Sequence, residues 1–169
     1  MHVCKAGGQA RVYPLIILDD ILAVVDAEEA KRLRARLEQL FGIVQFEEED
    51  KLLYLGMDVH IEDHGTTIDM QFYVQQLLEG EKIEELDAPG MKNTFIVASK
   101  SEPLVEERRK VLHSKTEKLL YLAKRARPDI LTIVTFLCTR VQGATEEDRG
   151  KLQRILGYLK CTKECTRVL

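Results

Sequence analysis

No uninterrupted apolar run in this chain approaches the roughly 20 residues that a membrane helix needs, so no membrane partner is expected. Residues Met1 to Gln9 lack the apolar core of a signal peptide, and the expectation is an intracellular protein, cytoplasmic or nuclear and not secreted. Cysteine is scarce. Cys4, Cys138, Cys161 and Cys165 show no disulfide-framework spacing, and the pair Cys161 and Cys165 has no nearby His to complete a zinc set, so free thiols are expected. A net charge of −3 points to no class of partner, which leaves any nucleic-acid surface to be local. Asp and Glu are missing from residues 1–12 altogether. What remains is an ordinary globular composition, 45% hydrophobic and 31% charged over 169 residues, enough for one domain or two small ones.

One stretch organises the rest: Tyr13 to Val25, an apolar and partly β-branched run interrupted by Asp19 and Asp20. Leu15 to Leu18 and Ile21 to Val25 have strand composition, so the stretch predicts a β-hairpin with an acidic tip. A turn commonly carries one Asp for local hydrogen bonding. Two adjacent ones repel unless something neutralises them, and a hard divalent cation such as Mg²⁺ suits paired carboxylates. Both a plain turn and a metal ligand pair fit these residues.

Downstream, Asp26 and Glu29 have capping-box spacing, and Ala30, Leu33, Leu37, Leu40 and Phe41 form one apolar stripe ending at Gly42, which predicts a helix over about 27–41. The acidic run Glu47 to Asp50 reads as a solvated turn. Leu52 to Ile61 reads as one strand with a bulge or close approach at Gly56, followed by a turn over 62–65 and a partner strand over 66–70. His60 and His64 share that hairpin without a third ligand. Gln71 to Glu79 predicts a short helix with Val74, Leu77 and Leu78 inward.

Periodicity disappears between Leu86 and Ser101, where Pro89-Gly90 breaks the chain. The domain expectation is therefore a mixed part over 1–88, a linker over 89–102, and a helical bundle over 103–169. The first helix runs from Pro103 to about Ala126 with Val111, Leu112, Leu119, Leu120 and Leu122 as core candidates. Pro128 breaks it, and Ile130, Ile133, Val134, Phe136, Leu137 and Val141 mark the most apolar helix. Thr145 with Asp148 opens the last, whose inward face is Leu152, Ile155, Leu156 and Leu159. Three helices with short connections make a small bundle, and the class is α+β.

Between Pro103 and Arg127 there are eight basic residues against three acidic ones, in a chain that is acidic overall. Arg108, Arg109, Lys110, Lys115, Lys118, Lys124 and Arg125 are the candidate contacts to a phosphate backbone; a solvated helix face fits the same composition.

Five segments, in order, resemble the copia-type LTR retrotransposon reverse transcriptase. Ile17-Leu18-Asp19-Asp20 is similar to the Y-x-D-D hairpin, Leu55-Gly56-Met57-Asp58-Val59 to F-L-G-[IM]-x-[IV], and Tyr73 to Leu78 to Y-[IV]-x-x-L-L. Leu119-Leu120-Tyr121-Leu122-Ala123 with Arg127-Pro128-Asp129-Ile130 resembles L-L-Y-L-A-x-x-T-R-P-D-I, and Arg154 to Thr162 resembles R-I-L-R-Y-L-K-G-T. The resemblance spans about Tyr13 to Thr162. It implies the C-terminal half of a polymerase palm, antiparallel β-hairpins with packed helices, followed by a three-helix thumb-like bundle. It also implies RNA-directed DNA synthesis on an RNA template and DNA primer with dNTPs, by two-Mg²⁺ nucleotidyl transfer. Asp19 and Asp20 would then be the catalytic metal ligands, and Leu55, Gly56 and Met57 the primer grip.

The departures are specific. Ile17 stands where the family has Tyr, Met70 where it has Gln, and Gly157 and Cys161 where it has Arg and Gly. The family's other catalytic Asp lies on a strand upstream of the hairpin. The expectation is therefore a fragment that is inactive without the missing fingers and upstream palm of the polyprotein. The alternative is a non-catalytic remnant acting as a nucleic-acid or protein interaction module, with self-association through exposed sheet edges.

Overall fold

The computed structural model describes residues 2–5, 15–17, 20–25, 27–45, 51–62, 65–97 and 100–168. The chain is α+β and divides into two compact units, Met1–Ile68 with Val168–Leu169, and Asp69–Arg167.

In the first unit, β2 (Leu15–Ile17) and β3 (Asp20–Val25) form the expected antiparallel hairpin, with Leu15 opposite Leu22, Ile16 opposite Ile21 and Ile17 opposite Asp20. The sequence places Asp20 in the turn; the register makes it the first residue of β3. A strand also forms where only polar, Gly-rich chain is expected: β1 (His2–Lys5) pairs parallel with β3, His2 opposite Leu22 and Lys5 opposite Val25. Four residues carry too little pattern to reveal a strand, and its existence depends on the partner it finds.

Helix α1 (Ala27–Phe41) spans the expected residues. Glu28 and Glu29 sit in its first turn, where negative charge suits the helix dipole, and they pair with Lys31 at 3.1 Å and Arg32 at 2.7 Å. Asp26, the expected capping residue, lies outside the described residues. Ala30 and Leu37 are buried and Leu33 is half-buried, but Leu40 and Phe41 are 57% and 74% exposed, so the apolar stripe fails in its last turn. Gly42 ends the helix at φ +81°, its N–H donating to the Glu38 carbonyl at 2.9 Å.

The second sheet has the order β4-β5-β6-β7, with β4 (Lys51–Tyr54), β5 (Met57–Glu62), β6 (Gly65–Asp69) and β7 (Arg167–Val168). The single strand expected over 52–61 is thus a hairpin. Tyr54 faces Met57, and the two residues between them, Leu55 and Gly56, have φ of +50° and +73°. Positive φ at both central positions is the type I′ arrangement, whose twist matches that of the strands. Leucine at the first turn position hides the turn from sequence, because Asn, Asp or Gly is the usual signal there. Tyr54 with Met57 and Leu52 with Val59 form two buried facing pairs, whereas Leu53, opposite Asp58, is exposed.

The second unit begins at α2 (Gln71–Leu78), where the Asp69 carboxylate accepts a hydrogen bond from the Gln71 N–H at 2.6 Å. Val74 and Leu77 are buried and Leu78 is half-buried. The irregular stretch expected as a linker lies inside this unit and is fastened to α5 (Glu146–Cys161). Lys151 donates to the Ile96 carbonyl at 2.7 Å and Arg154 to the Gly90 carbonyl at 3.3 Å, and the chain just before the stretch is held as well, the Leu86 N–H donating to the Gly157 carbonyl at 3.2 Å and Lys160 to the Ile83 carbonyl at 3.0 Å.

Helix α3 (Glu106–Arg125) buries Leu112, Thr116, Leu119, Leu122 and Ala123; of the expected core, Val111 is exposed and Leu120 half-buried. Pro128 opens a 3-10 turn that leads into α4 (Leu131–Arg140), in which Ile133, Val134 and Leu137 are buried. On α5, Leu152, Ile155, Leu156 and Leu159 are at most 4% exposed, and the expected cap forms, with the Thr145 N–H donating to Asp148 at 3.0 Å. The three helices pack pairwise, as their apolar faces require.

Candidate nucleic-acid interface

The candidate site residues fall in three places. Asp19 lies outside the described residues, and Asp20 opens β3. Leu55, Gly56 and Met57 form the tip and first strand residue of the β4–β5 hairpin, with Met57 buried. The seven basic residues are on α3, in the second unit.

At 3.6 residues per turn those seven do not make one strip; they are spread around α3, with Arg108 and Lys115 in line with its buried face. Their partners divide them further. In the N-terminal half, Arg108 pairs with Glu146 at 2.8 Å, Lys110 pairs with Glu106 at 2.9 Å, and Lys115 pairs with Glu81. Arg109 donates to the Gln142 carbonyl at 3.4 Å. Burial, with a smaller push from Lys118, holds the Lys115 ammonium below the usual lysine range. In the C-terminal half, Lys118, Lys124 and Arg125 have no carboxylate partner among the described residues. Arg125 lies over the Tyr121 ring, 3.6 Å from its centroid, an arrangement that favours a cation on an aromatic face. Tyr73 of α2 meets the same Tyr121 with ring centroids 5.5 Å apart, and its hydroxyl donates to the Lys118 carbonyl at 3.2 Å. Burial raises the Tyr73 hydroxyl above its ordinary value.

Arg127 is counted in sequence with the basic residues, yet its guanidinium is buried. Nε and Nη2 donate to Asp129 at 3.0 and 2.7 Å, while Nη1 and Nη2 donate to the Thr162 carbonyl and hydroxyl at 2.9 and 2.7 Å. The Tyr158 ring lies 5.3 Å from the guanidinium carbon. Burial alone would raise the Asp129 carboxyl; the hydrogen bonds from Arg127 and Tyr158 and the Arg127 charge outweigh it and hold the carboxyl below the usual range. Burial, then the Asp129 bond, raises the Tyr158 hydroxyl. The Arg-Pro-Asp spacing is the signal in sequence for this pairing, since Pro128 fixes a turn between the partners.

Gly157 likewise has a local reason. A Cβ there would stand 2.6 Å from the Glu84 carbonyl oxygen, so the crossing of residues 84–86 over α5 requires glycine. Alongside runs a groove of about 480 Å³ lined by Ile83, Leu86, Pro89, Met91, Lys151 and Arg154 among others. Cys138, Cys161 and Cys165 are free thiols. Among the described residues no three His, Cys, Asp or Glu side chains gather closely enough to hold a metal ion, and no helix is long and apolar enough to cross a membrane.

Comparison of the chain with protein-family models, with curated proteins and with solved structures finds no match.

Proposed function

We propose that this chain is a fragment of a copia-type RNA-directed DNA polymerase, the C-terminal half of a palm followed by a thumb-like helical bundle, inactive by itself. The observation that carries the proposal is the β2–β3 hairpin: with Ile17 opposite Asp20, the two strands are joined through Leu18 and Asp19, in keeping with the Y-x-D-D comparison. Contacts between the resembling segments add support. Tyr73 of one touches Tyr121 of the next, and Arg127 with Asp129 engages Tyr158 and Thr162 of the last. Residues that depend on one another in space have reason to recur together.

In the intact enzyme, magnesium would activate the primer 3′-hydroxyl and steady the triphosphate, with Asp19 as direct ligand and Asp20 beside it. Two carboxylates do not complete such a site. The strand next to β3 offers His2, Val3, Cys4 and Lys5, none of them a carboxylate, and in this reading another part of the polymerase supplies the third ligand.

That same absence on β1 favours a second reading, a non-catalytic remnant serving as an interaction module. Among the described residues both sheets are open, with β1 and β2 at the edges of one and β4 and β7 at the edges of the other, which gives such a module strands to pair with. Primer extension by the purified chain on an RNA template tests the fragment proposal. No incorporation is expected at any Mg²⁺ concentration, and clear synthesis would overturn it.

A further inference from the structure

Carboxylates answer three of the four basic residues in the N-terminal half of α3 and, among the described residues, none of the three in its C-terminal half. Glu146, Glu106 and Glu81 answer Arg108, Lys110 and Lys115. Beyond Glu117, which pairs with His113 at 3.3 Å, the cations Lys118, Lys124 and Arg125 have no carboxylate partner among the described residues. Arg167 adds a fourth positive charge at the same helix end, where its guanidinium donates to the Lys124 and Arg125 carbonyls at 3.4 and 3.0 Å.

The C-terminal half is also the aromatic one. Lys118, Tyr121 and Arg125 recur at i, i+3 and i+7, one stripe on the side of α3 away from Leu112, Leu119 and Ala123. Tyr73 joins that stripe from α2, its ring against Tyr121 and its hydroxyl held by the Lys118 carbonyl. Tyr73, Tyr121 and Arg125 are half-buried and Lys118 and Lys124 exposed, so the rings are held in place yet reach the surface.

A solvated helix face spreads its charges and needs no rings. A duplex-tracking face needs phosphate contacts alone, because paired bases keep their faces to themselves. Rings and a guanidinium in mutual contact, bordered by ammonium groups that have no carboxylate partner among the described residues, match what an unpaired strand offers: a base with two π faces and a phosphate on either side. We infer that Tyr73, Tyr121 and Arg125, flanked by Lys118 and Lys124, form a stacking platform for the bases of single-stranded nucleic acid. The inference rests on the proposed polymerase reading, in which the helical bundle meets nucleic acid, and moves the expected contact away from Arg108, Arg109 and Lys110.

The test uses the full chain and an oligothymidylate of about 12 nucleotides, within the span of known single-strand sites, read by fluorescence anisotropy beside an RNA–DNA hybrid duplex. Tyr73→Ala is expected to weaken oligothymidylate binding by about tenfold, in the range that stacking on an aromatic residue supplies. Tyr73→Phe, which keeps the ring, is expected to leave it unchanged, and Arg125→Glu to weaken it at least as much as Tyr73→Ala. Should the alanine variant not fold, photo-crosslinking of the unaltered chain to a 5-bromouracil oligonucleotide decides instead, with adducts expected on Tyr73 or Tyr121. Oligothymidylate binding that ignores the folded Tyr73→Ala variant, crosslinks that fall elsewhere, or binding of the hybrid without the single strand would each overturn the platform while leaving nucleic-acid contact in place. Binding of neither would remove both.

Discussion

Arg127 holds Thr162, 35 residues further on, through both its carbonyl oxygen at 2.9 Å and its hydroxyl at 2.7 Å, while the rest of the guanidinium holds Asp129. One side chain thereby ties the end of α3 and the following turn to the end of α5. Replacing it by alanine strands the Thr162 carbonyl and leaves Asp129 without its cation. With Asp129 itself partly exposed, Arg127→Ala is expected to cost about 3 kcal/mol, at the low end for breaking a buried pair. Arg127→Lys keeps the charge but not the fork, and should fall between the two. Urea denaturation measures both.

The same clasp gives stability a pH dependence. Asp129 is held below its ordinary value in the folded chain, so the stability it contributes is fully present above the unfolded carboxyl pKa and is lost as pH falls through the folded one. Denaturation midpoints should be level from neutral pH down to about 5 and decline below about 4. Asp129→Asn should be less stable at neutral pH and show a shallower acid decline.

Gly157→Ala places a methyl group against the Glu84 carbonyl and Leu86, both of which belong to the segment crossing α5. The expected destabilisation is about 1–3 kcal/mol, as for other overpacked sites, with faster proteolysis within residues 81–90 than in the unaltered chain. Equal stability and equal cleavage would mean that the crossing does not depend on glycine.

Leu55 occupies a left-handed position that a branched, bulky residue rarely adopts. Leu55→Asn is expected to raise stability by about 0.5–1 kcal/mol, since Asn tolerates this conformation, less whatever apolar contact the leucine makes. Thermal denaturation should show a higher midpoint; a lower one would mean that the leucine side chain matters more than its backbone.

What could be read from sequence is what depends on neighbours along the chain. Helix α5 is the clearest case: Thr145 and Asp148 cap it, and Leu152, Ile155, Leu156 and Leu159 line its buried face, because cap and periodicity are both local. The span of α1 was legible for the same reason, but not the exposure of Leu40 and Phe41, which depends on what the last turn meets. Strand β1 is visible only through its pairing with β3, and the β4–β5 turn was masked by a leucine where turn chemistry expects Asn or Gly. Of the candidate interface, composition showed the basic residues. It could not show which of them carboxylates from elsewhere already answer, nor that Arg127 is turned inward. The pairing of Tyr73 with Tyr121 joins residues far apart in sequence, each ordinary in its own helix.

The most direct measurement is template-dependent incorporation by this chain mixed with the fingers and upstream palm of a copia-type polymerase, in Mg²⁺. Synthesis should appear with the pair, be absent from either part alone, and fall to background when Asp19→Asn is substituted in this chain. No synthesis from the folded, associated pair, or synthesis indifferent to Asp19→Asn, would contradict the assignment of this hairpin to a polymerase palm.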